Sequence, residues 1–230
     1  MALNFNGNTP KEILYNELNV AKLAYNGVVV WMSKELPDGY TQVEYLESTG
    51  TQYIDTGLKG NLNTEAIIKV NQITASSQNT ITIFGDRTNS SKAIAINLPT
   101  NVSNNQQRFG DKSVIYNTPL SLEVDYVLKI NKSGLYIDNT KIVTFNTTTE
   151  FETESNLQLF KVSGIVGSFY NGTVKIYYCK IYDDGVLVRN FIPCKNPSNV
   201  VGLYDTVNDV FYSNAGSGSF IAGAEVEENL

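Results

Sequence analysis

Leu120 to Ile130 reads LSLEVDYVLKI. Leu120, Leu122, Val124, Tyr126, Leu128 and Ile130 alternate with Ser121, Glu123, Asp125 and Lys129. A period of two puts successive side chains on opposite faces of an extended chain, so the stretch predicts one long strand with a buried and a solvated face. NKSG (Asn131 to Gly134) then turns the chain, and LYIDNTKIVTF predicts a hairpin whose turn is Asp138-Asn139, residue types that tolerate positive φ. TVKIYYCKIYDDGVLVRNFIP (Thr173 to Pro193) repeats the plan as a long strand, a DDG turn and a returning strand.

Working outward, similar short runs recur between turn residues: EAIIKVNQI (Glu65 to Ile73), NTITIFG (Asn79 to Gly85), KAIAINL (Lys92 to Leu98) and SVIYN (Ser113 to Asn117). LQLFKVSG reads as a strand or a short turn, and no segment has the pattern of an amphipathic helix. Charged residues are only 17% of the chain, while Asn, Thr, Ser and Tyr abound. That composition favours strands and polar turns over salt-bridged helices. The expected fold class is all-β, an antiparallel β-sandwich.

The first 35 residues are expected to be a separate small β-meander. ILYNELNV (Ile13 to Val20) is echoed ten positions on by LAYNGVVV (Leu23 to Val30), and Asn26-Gly27 between apolar flanks signals a tight hairpin. Two or three strands are marginal alone, so the module needs a partner, whether the rest of the chain, another protein or another copy. LPDGYTQVEYLESTGTQYIDTG (Leu36 to Gly57) marks the boundary: Leu36-Pro37-Asp38-Gly39 leaves the leader and the following residues enter the first strands. The division is then a β module at 1–35, a sandwich at 37–225 and a tail at 226–230.

Composition also bounds function. With a formal net charge of −6, a pI near 4.8 and no Lys/Arg run, nucleic acid is not an expected partner. No apolar run is long enough to span a bilayer, and Met1 to Asn8 has neither the basic start nor the apolar centre of a signal peptide, so membrane association and conventional secretion are not expected. Histidine is absent, which excludes zinc fingers and His-dependent triads. Cys179 and Cys194 show no CxxC spacing and are expected as free buried thiols, although they could pair if their strands were neighbours.

Three segments carry a resemblance: LPDGYTQVEYLESTGTQYIDTG, LKINKSGLYIDNTKI, and FYNGTVKIYYCKIYDDGVLVRNFIPCKNPSNVVGLYDTVNDVFYSNAGSGSF. Over roughly residues 37 to 225 the chain resembles the concanavalin A-like, laminin-G-like jelly rolls of phage virion proteins and bacterial surface proteins. FNGNTPKEILYNELNVAKLAYNGVVVW is similar to the short β leaders of phage tail, fibre and other virion proteins. The resemblance implies a virion protein made in the bacterial host cytoplasm. Its partners would be other capsid or tail proteins and host-surface or mucosal glycans, with several copies in the particle. Tyr15, Tyr25, Val29 and Trp31 of the leader are the candidates for attachment.

The same fold hosts β-glucanases. Those enzymes need carboxylates patterned ExDxE or ExDxxE on one strand, one as nucleophile and one as acid. Glu123 and Asp125 supply the first two, but Val127 and Leu128 stand where the third belongs. Ser217-Gly218-Ser219 lacks the strand-to-helix context of a nucleophile elbow, and GxxxxGK[ST] is absent. Asp86, Asp111, Asp183, Asp184, Asp205 and Asp209 fall in expected loops, and the resemblance allows Ca²⁺ there, but their spacing forms no defined motif, so no cofactor is expected. What remains is binding. The loops GDRTNSS (Gly85 to Ser91) and PTNVSNNQQRFGD (Pro99 to Asp111) combine an aromatic ring with hydrogen-bonding groups, which makes Asp86, Arg87, Asn104, Arg108 and Phe109 the candidate sugar ligands. The competing readings are a purely structural decoration protein that binds no sugar and a glycoside hydrolase of the same fold.

Overall fold

A computed structural model describes residues 36–74, 80–99, 105–164 and 173–226, together with four short N-terminal strands. Every regular element among the described residues is a β-strand. β1 (Leu14–Tyr15) pairs with β2 (Leu18–Asn19), and β3 (Lys22–Tyr25) with β4 (Val28–Met32), both antiparallel. Tyr15 lies opposite Leu18, and Tyr25 lies opposite Val28. The ten-residue echo therefore falls on two antiparallel strand pairs, with Tyr15 and Tyr25 at corresponding positions; Asn16 and the expected Asn26-Gly27 turn lie outside the described residues.

The rest is a sandwich of two sheets. The first runs β12 (Lys112–Ile115), β11 (Gln106–Phe109), β10 (Ala93–Pro99), β9 (Thr80–Arg87), β16 (Glu152–Leu159), β7 (Ile54–Asn61), with β17 (Ser163–Gly164) parallel to β9. The second has eleven strands. Its spine is β15 (Thr140–Thr144), β14 (Gly134–Ile137), β13 (Asp125–Asn131), β8 (Thr64–Gln72), β18 (Val174–Asp183), β19 (Val186–Lys195), β20 (Val201–Asp205), β21 (Val210–Ser213). β5 (Thr41–Gln42) joins β19, β6 (Leu46–Ser48) joins β18, and β22 (Ile221–Ala222) joins β6.

Between the sheets lies one apolar core that includes Ile68, Val70, Phe84, Ile94, Ile96, Phe109, Leu128, Ile130, Leu157 and Phe191, all essentially inaccessible to solvent. Each such side chain contributes roughly 1.5–3 kcal/mol on burial. In β8, Ala66, Ile68 and Val70 enter this core, while Glu65, Ile67 and Lys69 alternate with them on the outer face. The hairpin turns follow the local chemistry. Asp138 (φ 47°) and Asn139 (φ 66°) join β14 to β15, and Asp184 (φ 48°) and Gly185 (φ 78°) join β18 to β19. Both turns are the two-residue kind whose twist matches that of paired strands.

The long strand expected at Leu120 to Ile130 is shorter. Leu122 and Glu123 form a turn, Glu123 has a φ of 61°, and the strand starts at Asp125. Leu122 and Val124 are exposed, not buried. The reason is the partner: Asp125 pairs with Asn71 and the Glu123 N–H donates to the Gln72 carbonyl, where β8 ends. Leu128 and Ile130 keep the inward parity that the alternation predicts.

A second, smaller cluster lies on the other face of the eleven-stranded sheet. Leu36, Ile192, Cys194 and Tyr204 are buried there with Tyr40 and Phe211 against them, and the Tyr40 and Tyr204 rings meet edge-on at 5.1 Å between centroids. LPDGY is thus a strap packed on β19 and β20, and Leu36 belongs to the sandwich.

Candidate functional site

Of the expected sugar ligands, Asp86, Arg87, Arg108 and Phe109 lie in the seven-stranded sheet, and two are inaccessible. Gln106 to Phe109, expected as loop, is strand β11; Phe109 pairs with Ile94 and packs against Phe145 and Phe151 in the core, so it offers no platform for a sugar. Asp86 is fully buried inside β9 and accepts hydrogen bonds from Ser163 Oγ and, at 2.8 Å, from Thr88 Oγ1. Arg108 is 7% exposed, donates to Gln106 Oε1, and has its pKa pushed down by burial and by Arg87. Arg87 is half-buried, and its Nε–H has no hydrogen-bond partner. Asn104 lies outside the described residues. Tyr15, Tyr25, Val29 and Trp31 lie on strands β1, β3 and β4, and their side chains also fall outside the description.

Chemistry-bearing groups gather instead on the outer face of the eleven-stranded sheet. At one end three turns meet: Leu62-Asn63, Lys132-Ser133 and Asp184-Gly185. They enclose an open cleft of about 520 Å³, lined by Asn63, Glu65, Asn131, Lys132, Tyr182 and Asp184 among others. That volume lies within the range of small-molecule sites. Glu65 and Tyr182 are cross-strand neighbours. Asn131 Nδ2 donates to Glu65 Oε2 at 2.7 Å, Lys132 Nζ to Asn63 Oδ1 at 3.2 Å, and the Asp184 N–H to the Asn63 carbonyl at 3.2 Å. One tyrosine ring beside carboxylates, amides and an ammonium is the side-chain set that recognises sugar hydroxyls.

At the other end of the face the register brings Asp125, Asn71, Lys175 and Glu47 side by side on β13, β8, β18 and β6. A bulge in β18 between Ile176 and Tyr178 sets Tyr177 beside them. The Asp125 carboxylate takes Asn71 Nδ2 at 2.7 Å, Lys69 Nζ at 2.9 Å and the Tyr177 hydroxyl. Burial opposes its charge, but these donors outweigh burial and hold its pKa below the ordinary carboxylate value. Burial and the neighbouring Asp125 push the Tyr177 hydroxyl up to about 12, which keeps it a donor. Lys69 sits 4.5 Å from the Tyr177 ring centroid and Lys175 sits 4.1 Å from that of Tyr45.

Glu123, in its turn, and Asp125, committed to three donors, do not stand as a pair on one strand face. Among the described residues, no three His, Cys, Asp or Glu side chains are grouped to hold a metal ion. Asp205, one of the calcium candidates, is consumed by Arg189, Asn190, Val207 and Asn208.

The structure defines an all-β sandwich protein with an open, tyrosine-bearing cleft at one end of its larger sheet. A scan of protein-family models finds none that matches the chain, and a search of curated proteins finds no match to its sequence.

Proposed function

We propose that this is a non-enzymatic structural protein of a bacteriophage virion. Its sandwich, of the concanavalin A-like, laminin-G-like jelly-roll kind, is displayed to bind host-surface or mucosal glycans, and its N-terminal hairpins attach it to capsid or tail proteins. The observation that carries the binding reading is the cleft beside Glu65, Asn131 and Tyr182. Synthesis is in the host cytoplasm and assembly is in several copies, so weak single-site binding is raised by avidity.

A glycan array probed with the full chain, displayed multivalently, tests the binding reading. Binding that Tyr182→Ala abolishes is expected; silence across the array would overturn it. One observation favours the second reading, decoration without sugar binding: the polar groups of the cleft already bond one another. Polysaccharide turnover that Glu123→Gln abolishes would favour the hydrolase instead. Deletion of residues 1–35 is expected to leave a folded sandwich that no longer joins particles, read by incorporation into virions. Imaging labelled protein on those virions distinguishes capsid from tail.

A further inference from the structure

Between the cleft and the Asp125 cluster runs a straight cross-strand row. Lys141 on β15 lies opposite Tyr136 on β14, Tyr136 opposite Lys129 on β13, Lys129 opposite Ile67 on β8, Ile67 opposite Lys180 on β18, and Lys180 opposite Asn190 on β19. Directly opposed residues in a sheet share a face, so the three lysines stand in one line. Each pair is two strands apart, which spaces their backbone positions by roughly 10 Å.

Two other lysines of this face are neutralised. Lys69 pairs with Asp125 at 2.9 Å and Lys175 with Glu47 at 3.9 Å. Glu65, on the neighbouring row, is engaged by Asn131, and Asp138 by the Val127 N–H. Among the described residues, Lys129, Lys141 and Lys180 are left without a carboxylate, on a protein whose formal net charge is −6. Two of them are also held in place: Lys129 Nζ is 4.4 Å and Lys141 Nζ 5.3 Å from the Tyr136 ring centroid, and Ser133 meets the Tyr136 hydroxyl at 3.0 Å. Ring contacts of this kind fix an ammonium without consuming its charge. Side chains ordered beforehand lose less entropy on binding.

We infer that this row binds an acidic polysaccharide lying across the strands, with one anionic group meeting Lys141 and Lys129 around the Tyr136 ring and another meeting Lys180 further along the row. The inference rests on the glycan-binding reading above and names the substrate class of that same face. The chemistry is shared by carboxylated and sulfated chains.

The test measures binding of the full chain to hyaluronan, dextran sulfate and neutral dextran by biolayer interferometry across a salt series. Expected is binding to hyaluronan or dextran sulfate that weakens steeply with salt. It should fall at least tenfold in the triple variant Lys129→Gln/Lys141→Gln/Lys180→Gln and persist in Lys59→Gln, whose partner is Glu152 on the other sheet. Hyaluronan preferred would identify a carboxylated chain, and dextran sulfate preferred a sulfated one. Equal affinity for neutral dextran, or a triple variant that binds unchanged while circular dichroism shows it folded, overturns the acidic class but leaves glycan binding standing. No binding to any of the three overturns the inference, while the array above tests glycan binding separately.

Discussion

Asp205 has no exposed surface, and its carboxyl group is ringed by donors. Arg189 Nε approaches one carboxylate oxygen at 3.4 Å, Asn208 donates to the same oxygen at 2.7 Å, and the N–H groups of Asn190 and Val207 reach the other at 3.0 and 3.1 Å. Removing one partner of a buried pair strands the other, so Asp205→Ala is expected to lower stability by about 3–5 kcal/mol in chemical denaturation. The two cysteines make a second residue-scale case. Cys179 enters the main core with Phe191, whereas Cys194, three residues beyond Phe191 on the same strand, points to the cluster under Leu36. They stand on opposite faces of the sheet and cannot bridge. Burial raises both thiol pKa values, helped at Cys179 by Asp205 and reaching about 12 at Cys194. Since the thiolate is the reacting form, the native protein is expected to resist iodoacetamide until unfolded, as read by mass spectrometry.

At the scale of the element, β10 and β11 share only two register pairs, Ile94 with Phe109 and Ala95 with Arg108. Beyond them the ladder is replaced by a side chain. Gln107, fully buried, accepts from the Asn97 N–H at 2.9 Å and donates to the Asn97 carbonyl at 2.5 Å. Asn97 in turn donates to the Gln106 carbonyl and accepts from Thr82 at 3.0 Å. This occurs at the bulge between Ile96 and Asn97, where backbone groups would otherwise be left unpaired. Gln107→Ala is therefore expected to destabilise by roughly 1–3 kcal/mol for each orphaned group. It should also speed hydrogen exchange at the Asn97 amide; an unchanged exchange rate would count against the clamp.

Over the whole molecule, stability should depend on pH mainly at the acid side. Asp111, bonded by Lys112 and Thr147, and Asp125, held by donors that outweigh its burial, both have pKa values below the ordinary one. The native state therefore releases protons that the unfolded chain retains, so stability rises with pH through this window. It is fully present above about pH 4 and declines as pH falls through the lowered values. With no histidine in the chain, no side chain of ordinary pKa titrates between about pH 5 and 8, and urea midpoints are expected to be flat there. A midpoint that changed across neutrality would point to a group with a displaced pKa.

The all-β class, the Asp138-Asn139 and Asp184-Gly185 hairpins and the inward parity of Leu128 and Ile130 were legible in the sequence. All three depend on neighbours within a few residues: φ tolerance at a turn and the period of two along a strand. The Tyr15 and Tyr25 echo was legible for the same reason, each tyrosine standing at the end of an antiparallel strand pair. Only the tertiary structure decided where the Leu120 to Ile130 strand begins, because that depends on where β8 stops, at Gln72, as the contact of Asp125 with Asn71, 54 residues earlier, records. It likewise took Asp86 and Phe109 out of reach, since strand alternation is read locally but which face meets the other sheet is not. The row Lys141, Tyr136, Lys129, Lys180 is assembled from four strands whose register is set by pairing across the sheet. Local chemistry settled the strands and turns; long-range pairing settled which side chains meet on the outer face of the larger sheet.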